Sequence, residues 1–182
     1  VSQIADRYRK LAASFTARVD AVRDDRWSNP SPCEGWTAVD IVRHMTETAG
    51  IFYSLVGREL PPIPSVDDDP KGAWAATRNA IQRALDDPAF AGLPYEGQLG
   101  HATFEVGVDK FLSGDLLLHT WDLARATGLD ERLDPDEVSN VLSMLTPMDE
   151  VMRAPGAFGP KVEAPDGADE QTQLLAFAGR RV

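Results

Sequence analysis

The stretch Asp115-Leu-Leu-Leu-His-Thr-Trp-Asp-Leu-Ala-Arg-Ala-Thr-Gly128 decides the fold of this chain. Read as a helix, it sets Asp115 and His119 one turn apart on one face, with Asp122 and Ala126 continuing that stripe. Leu116, Leu117, Leu118, Trp121 and Leu123 cover the other directions, so the segment reads as a largely buried helix. A carboxylate and an imidazole inside it need partners, because unpaired charge in a low-dielectric interior costs several kcal/mol or shifts a pKa. A divalent metal is one such partner. The helix is predicted to begin between His101 and Val108 and to run to Ala126, with Gly128 as a left-handed cap.

Working outward, Ile4, Tyr8, Leu11, Ala12, Phe15 and Val19 recur at spacings of three and four, which predicts an amphipathic helix from Ser2 to Ala21. Asn29-Pro30, Pro32 and Gly35 mark a travelling loop. Thr37 then opens a second helix with Asp40 at the capping-box position, and Val39, Val42, Met45, Ala49, Phe52 and Val56 form its inner stripe. Pro61, Pro62 and Pro64 break the chain, and Asp67 to Pro70 is an acidic-proline start for a third helix that Asp87-Pro88 closes. Ala89 to His101 reads as an irregular linker. Asp134-Pro135 opens a further helix that Pro147 kinks or divides, and Ala168 to Phe177 predicts a short terminal one. Between them Pro155-Gly156, Phe158-Gly159-Pro160 and Pro165-Asp166-Gly167 predict a surface arm. No strand alternation and no repeat is evident. The expectation is an all-α four-helix bundle with accessory helices, one domain over 1–182 with its core at about 1–153 and an arm with a short helix at 154–182.

Composition narrows the function. With 29 acidic against 18 basic residues the net charge is -11, which opposes attraction to a phosphate backbone, so nucleic acid is not an expected partner. No run of about 18 apolar residues and no basic-then-apolar leader is visible, and the expectation is a cytoplasmic protein away from membranes. Cys33 is the only cysteine, which excludes an internal disulfide and leaves a small buried thiol, a reactive nucleophile or a metal ligand.

Three histidines limit the choice of imidazoles: His44, His101 and His119. Facing helices of a bundle commonly donate inward ligands, and His44 opposite Asp115 and His119 supplies two nitrogens and one oxygen with an open position. That set suits zinc, with nickel, iron and manganese as options on ligand type. The Asp-x-x-x-His pair alone fits a hydrogen-bonded core histidine equally well. Asp122 reads as a carboxylate that orients an imidazole, as a plain structural acceptor, or as a candidate catalytic acid. His101, in the linker, reads as exposed or capping. The four tryptophans are packing anchors first, with Trp36 and Trp121 the candidate walls of a pocket.

Pro32-Cys33-Glu34-Gly35-Trp36-Thr37 followed by Asp40 and His44, together with the segment from Asp115 to Gly128, resembles the actinobacterial branch of the DinB-like superfamily that contains mycothiol-dependent maleylpyruvate isomerase. Ala157-Phe158-Gly159 and Leu174 to Arg180 fit the same branch, so the similarity spans nearly the whole chain. The resemblance implies a DinB-type four-helix bundle, often a homodimer, with a divalent metal in a central cleft. The isomerase holds zinc through a histidine on its second helix and a Glu-x-x-x-His pair, which correspond to His44, Asp115 and His119. Asp115 is one methylene shorter than glutamate, a change that moves the ion or alters the preferred metal. The isomerase also carries a C-terminal domain with a catalytic arginine, whereas this chain ends soon after its bundle, so maleylpyruvate isomerisation is not the expected activity.

Three functions follow as expectations. In the first, a metal-dependent enzyme activates a low-molecular-weight thiol, mycothiol by resemblance, for transfer to or isomerisation of a small electrophile. In the second, the same ligands serve a hydrolase using activated water. In the third, a non-catalytic bundle binds a small ligand or a protein.

Overall fold

The computed structural model describes residues 2–97, 100–153, 158 and 160–182. Its first helix, α1 (Gln3–Ala21), is capped by the Ser2 hydroxyl, which accepts from the Ala5 N–H at 3.1 Å. The predicted apolar stripe is buried from Tyr8 to Val19, with Ala5 rather than Ile4 completing it. In α2 (Ala38–Leu55) the Asp40 carboxylate takes the Thr37 backbone N–H at 2.8 Å and its hydroxyl at 2.7 Å, closing the predicted capping box. α3 (Pro70–Asp86) starts on Asp69, whose side chain accepts from the Gly72 N–H. These caps satisfy N–H groups that the first helical turn leaves unpaired.

A one-turn α4 (Pro88–Ala91) leads into an antiparallel hairpin, β1 (Pro94–Gly97) and β2 (Gly100–Thr103), in which Tyr95 lies opposite Ala102. This corrects the expectation of an irregular linker. The strands are four residues each and rich in proline and glycine, and only Tyr95 is buried, so no alternation is long enough to register. Tyr95 fits because the next element brings Gly107 against it: a Cβ there would collide with the Tyr95 hydroxyl.

The predicted long fourth helix is built in three parts. α5 (Phe104–Gly107) runs into a π-helical turn at Val108–Leu112 and then into α6 (Ser113–Thr127), ended by Gly128 at φ 75°. Arg7 clasps the π turn, donating to the Asp109 carbonyl at 3.1 Å and its carboxylate at 2.7 Å while also reaching Glu137 at 2.8 Å. α7 (Pro135–Leu145) begins on Asp134, and Pro147 divides it through a 3-10 turn from α8 (Asp149–Met152). α9 (Glu170–Phe177) packs on α7. The arm turns at Pro155-Gly156 and at Gly159 fall outside the described residues.

α1 lies against α3 and α6, and α2 lies against the same two helices, which closes a four-helix ring around one apolar core. Nearly every residue of α6 is buried, as its sequence requires. Trp74 of α3 meets Phe15 edge-on at 4.7 Å and donates its indole N–H to Thr16 at 2.8 Å. The architecture is an all-α bundle with accessory helices and one small hairpin. No helix among the described residues is long and apolar enough to cross a membrane.

Candidate metal centre

α2 and α6 face each other with His44 on one and Asp115 and His119 on the other. His44 Nε2 lies 3.3 Å from an Asp115 oxygen, the two imidazole rings are 4.9 Å apart, and one donor atom from each of the three residues falls within 4.8 Å of the others. They line one wall of an open cleft of about 610 Å³. His44 and Asp115 keep 31% and 29% of their side chains exposed, whereas His119 keeps 7%. Solvent therefore reaches the first two directly, and His119 presents only an edge.

The orientation of His119 comes from behind. Its Nδ1 is 2.9 Å from the Asp122 carboxylate, three residues on along the same helix. That contact commits Nδ1 and leaves Nε2 for the cleft, the arrangement that fixes the tautomer of a ligating imidazole. Asp122 is fully buried. Burial alone would raise its pKa, but the hydrogen bonds from His119 and Arg180 outweigh it and hold the carboxyl at about 2. Asp122 stands behind His119, away from the residues that line the cleft, with its oxygens facing His119 and Arg180.

For Asp115, partial desolvation works against ionisation, yet the hydrogen bond with His44 and the electrostatic influence of His119, His44 and Arg180 keep its pKa below the usual carboxylate range. The two nitrogens and the ionised oxygen thus form a set with the chemistry a divalent ion requires.

The loop before α2 roofs the site. An isolated bridge pairs Pro30 with Thr37, Gly35 turns at φ 77°, and Asn29 donates to the Ala126 carbonyl at 2.9 Å, tying the loop to the end of α6. This lowers Trp36 onto the centre, with its ring 5.0 Å from His44 and 5.9 Å from His119. Trp121, the other tryptophan considered as a wall, is not at the cleft. It is 1% exposed, and Arg125 stacks on it at 4.7 Å. Trp121 lies two residues past His119, roughly 200° round the helix, which turns it away from the cleft-facing stripe and into the core. His101 sits on the hairpin, exposed and paired with Glu96 at 2.7 Å.

Two site residues carried no clear sequence signal. Cys33, weighed among three roles, lies in the cleft wall with its thiol 3.4 Å from Asp122; burial, then the Asp122 charge, pushes it up to about 12. Arg180 enters from beyond α9, where Gly179 turns at φ 83°, and donates to Asp122 at 2.7 and 3.2 Å. Nothing local to Arg180 announces this, since its partner is 58 residues away. At the mouth, the π turn contributes Lys110 and Phe111.

The fold and the site together define a class: a helical bundle whose facing helices converge an N, N, O donor set on an open cleft. Residues 8–124 match the mycothiol maleylpyruvate isomerase N-terminal domain family. The chain belongs to that family. It is also similar to two Mycobacterium tuberculosis proteins, each 27% identical over 177 residues covering 96% of both chains. They are named Uncharacterized protein MT0763, from strain CDC 1551 / Oshkosh, and Uncharacterized protein Rv0738, from strain ATCC 25618 / H37Rv. No solved structure matches the chain significantly.

Proposed function

We propose that this protein is a divalent-metal-dependent enzyme that uses a low-molecular-weight thiol, mycothiol in this family, for transfer to or isomerisation of a small electrophile. The observation that carries this reading is the convergence of His44, Asp115 and His119, with donor atoms inside 4.8 Å, on the wall of an open cleft. These three residues are the proposed ligands, and zinc is the metal their donor types favour. A divalent ion held there supplies Lewis acidity, which favours the thiolate form of a thiol at neutral pH. The chain's own contributions are positional. Asp122 fixes the His119 ring, the ionised Asp115 adds negative charge beside the imidazoles, and Trp36 closes one side of the cleft against water. The elevated pKa of Cys33 keeps its thiol protonated at neutral pH, so an external thiol is the better nucleophile.

The test begins with metal analysis of protein prepared without chelator or affinity tag, followed by thiol titration before and after metal removal. His119→Ala should lose most bound metal, and thiol binding should weaken sharply in the metal-free protein. Unchanged metal stoichiometry in His119→Ala would overturn the ligand assignment. Metal-dependent turnover that needs no thiol would replace thiol chemistry with hydrolysis.

A further inference from the structure

Behind the proposed centre stands a second donor set. One atom each from Cys33, His119 and Asp122 lies within 4.8 Å of the others, giving sulfur, nitrogen and oxygen. Those are donor types that zinc and softer divalent ions accept. The set is occupied, because the Arg180 guanidinium lies 2.7 Å from one Asp122 oxygen, 3.2 Å from the other and 3.4 Å from the Cys33 sulfur. Its remaining nitrogen donates to the Ala178 carbonyl at 2.7 Å, which pins the side chain to the tail that delivers it. Only 10% of the Arg180 side chain is exposed.

We propose that Arg180 is a resident cation that fills this second donor set and so holds the centre to a single metal ion. A fully buried carboxylate such as Asp122 requires a positive partner. A metal ion would satisfy it by also taking the sulfur of Cys33 and Nδ1 of His119, whereas the guanidinium does so through hydrogen bonds and leaves His119 Nδ1 to Asp122. The difference matters because His119 belongs to both sets and its Nδ1 already meets Asp122 at 2.9 Å. An ion at Nδ1 would break the contact that orients the ring, and would place two divalent charges on one imidazole. Arg180 keeps Nε2 for the cleft and Cys33 out of coordination. This inference shares His119 with the proposed centre but does not depend on an ion being bound at His44 and Asp115.

The experiment is a cadmium titration followed by ultraviolet absorption, where a cadmium–thiolate band reports Cys33 alone, the chain having one cysteine. Wild-type protein should show no such band. Arg180→Met, which keeps the volume without the charge, and Arg180→Gln, which keeps a donor for Asp122, should each gain the band together with one additional bound ion. Arg180→Lys should not gain it, and Arg180→Met with Cys33→Ser should lose it. Adding His44→Ala to Arg180→Met should leave the band intact, which separates this set from the proposed catalytic ligands. A thiolate band in the wild type, or its absence from both folded neutral variants, would overturn the inference. Wild-type protein that binds no ion at all would count against the proposed function while leaving this result to be read from the Arg180 variants.

Discussion

Asp122→Asn removes one charge at the point where the bundle, the tail and the candidate centre meet, and keeps the side chain's shape. In the folded protein the Asp122 oxygens contact His119 at 2.9 Å and Arg180 at 2.7 and 3.2 Å, with no solvent exposure. Removing one partner of a buried ion pair costs roughly 3–5 kcal/mol. Because asparagine still offers an oxygen, the lower end, about 3 kcal/mol, is expected. The pH dependence gives an independent figure. A carboxyl held at about 2 against about 3.9 in the unfolded chain corresponds to about 2–3 kcal/mol of stability. The folded value lies below the unfolded one, so this contribution is complete above about pH 4 and is lost as pH falls toward about 2. Urea denaturation of the metal-free protein should therefore show a gap between wild type and Asp122→Asn that is full near neutral pH and narrows near about pH 3. Zinc affinity should fall by about 10–100-fold, the usual cost of losing the partner of a ligating histidine. A gap under about 0.5 kcal/mol at neutral pH, or one that does not narrow in acid, would refute the placement of Asp122 as a buried, ionised orienting group.

Trp36→Ala should raise the KM for thiol or electrophile with little loss of stability, whereas Trp121→Ala should cost about 3–5 kcal/mol in denaturant melts, because only the first lines the cleft. Alkylation of Cys33 in the folded protein should be slow near neutral pH and accelerate as the solution approaches its value of about 12; fast labelling at neutral pH would contradict its protonated, half-buried state. Arg7→Met should destabilise the protein by about 2–3 kcal/mol, since it strands Glu137 and releases the π turn, and hydrogen exchange should rise most at Val108–Leu112.

The fold was legible wherever the signal is local. Caps at Thr37, Asp69 and Asp134, the glycine at 128 and three-four apolar spacing each act within a turn or two, so each predicted helix appears near its expected bounds. The hairpin was not legible because its stability comes from Tyr95 packing under Gly107, a contact that no period-two pattern in four-residue strands reveals. The π turn is likewise set by Arg7, more than 100 residues away in the chain. For the site, Asp115, His119 and Asp122 could be related through helix geometry alone. Trp121 was legible by the same geometry: two residues past His119 is about 200° of rotation, which turns it to the core face rather than the cleft.

The sequence by itself determined that the chain forms a helical bundle, that one helix buries a carboxylate and an imidazole one turn apart, and that imidazole ligands had few sources, because these follow from periodicity, capping and composition within single elements. Tertiary structure alone decided that His44 comes within reach of Asp115, that Asp122 turns its charge toward a tail arginine, and that Cys33 and Trp36 fold over His119. Such distances between elements depend on how helices pack and where loops return, and packing is a property of the whole core that no single segment encodes.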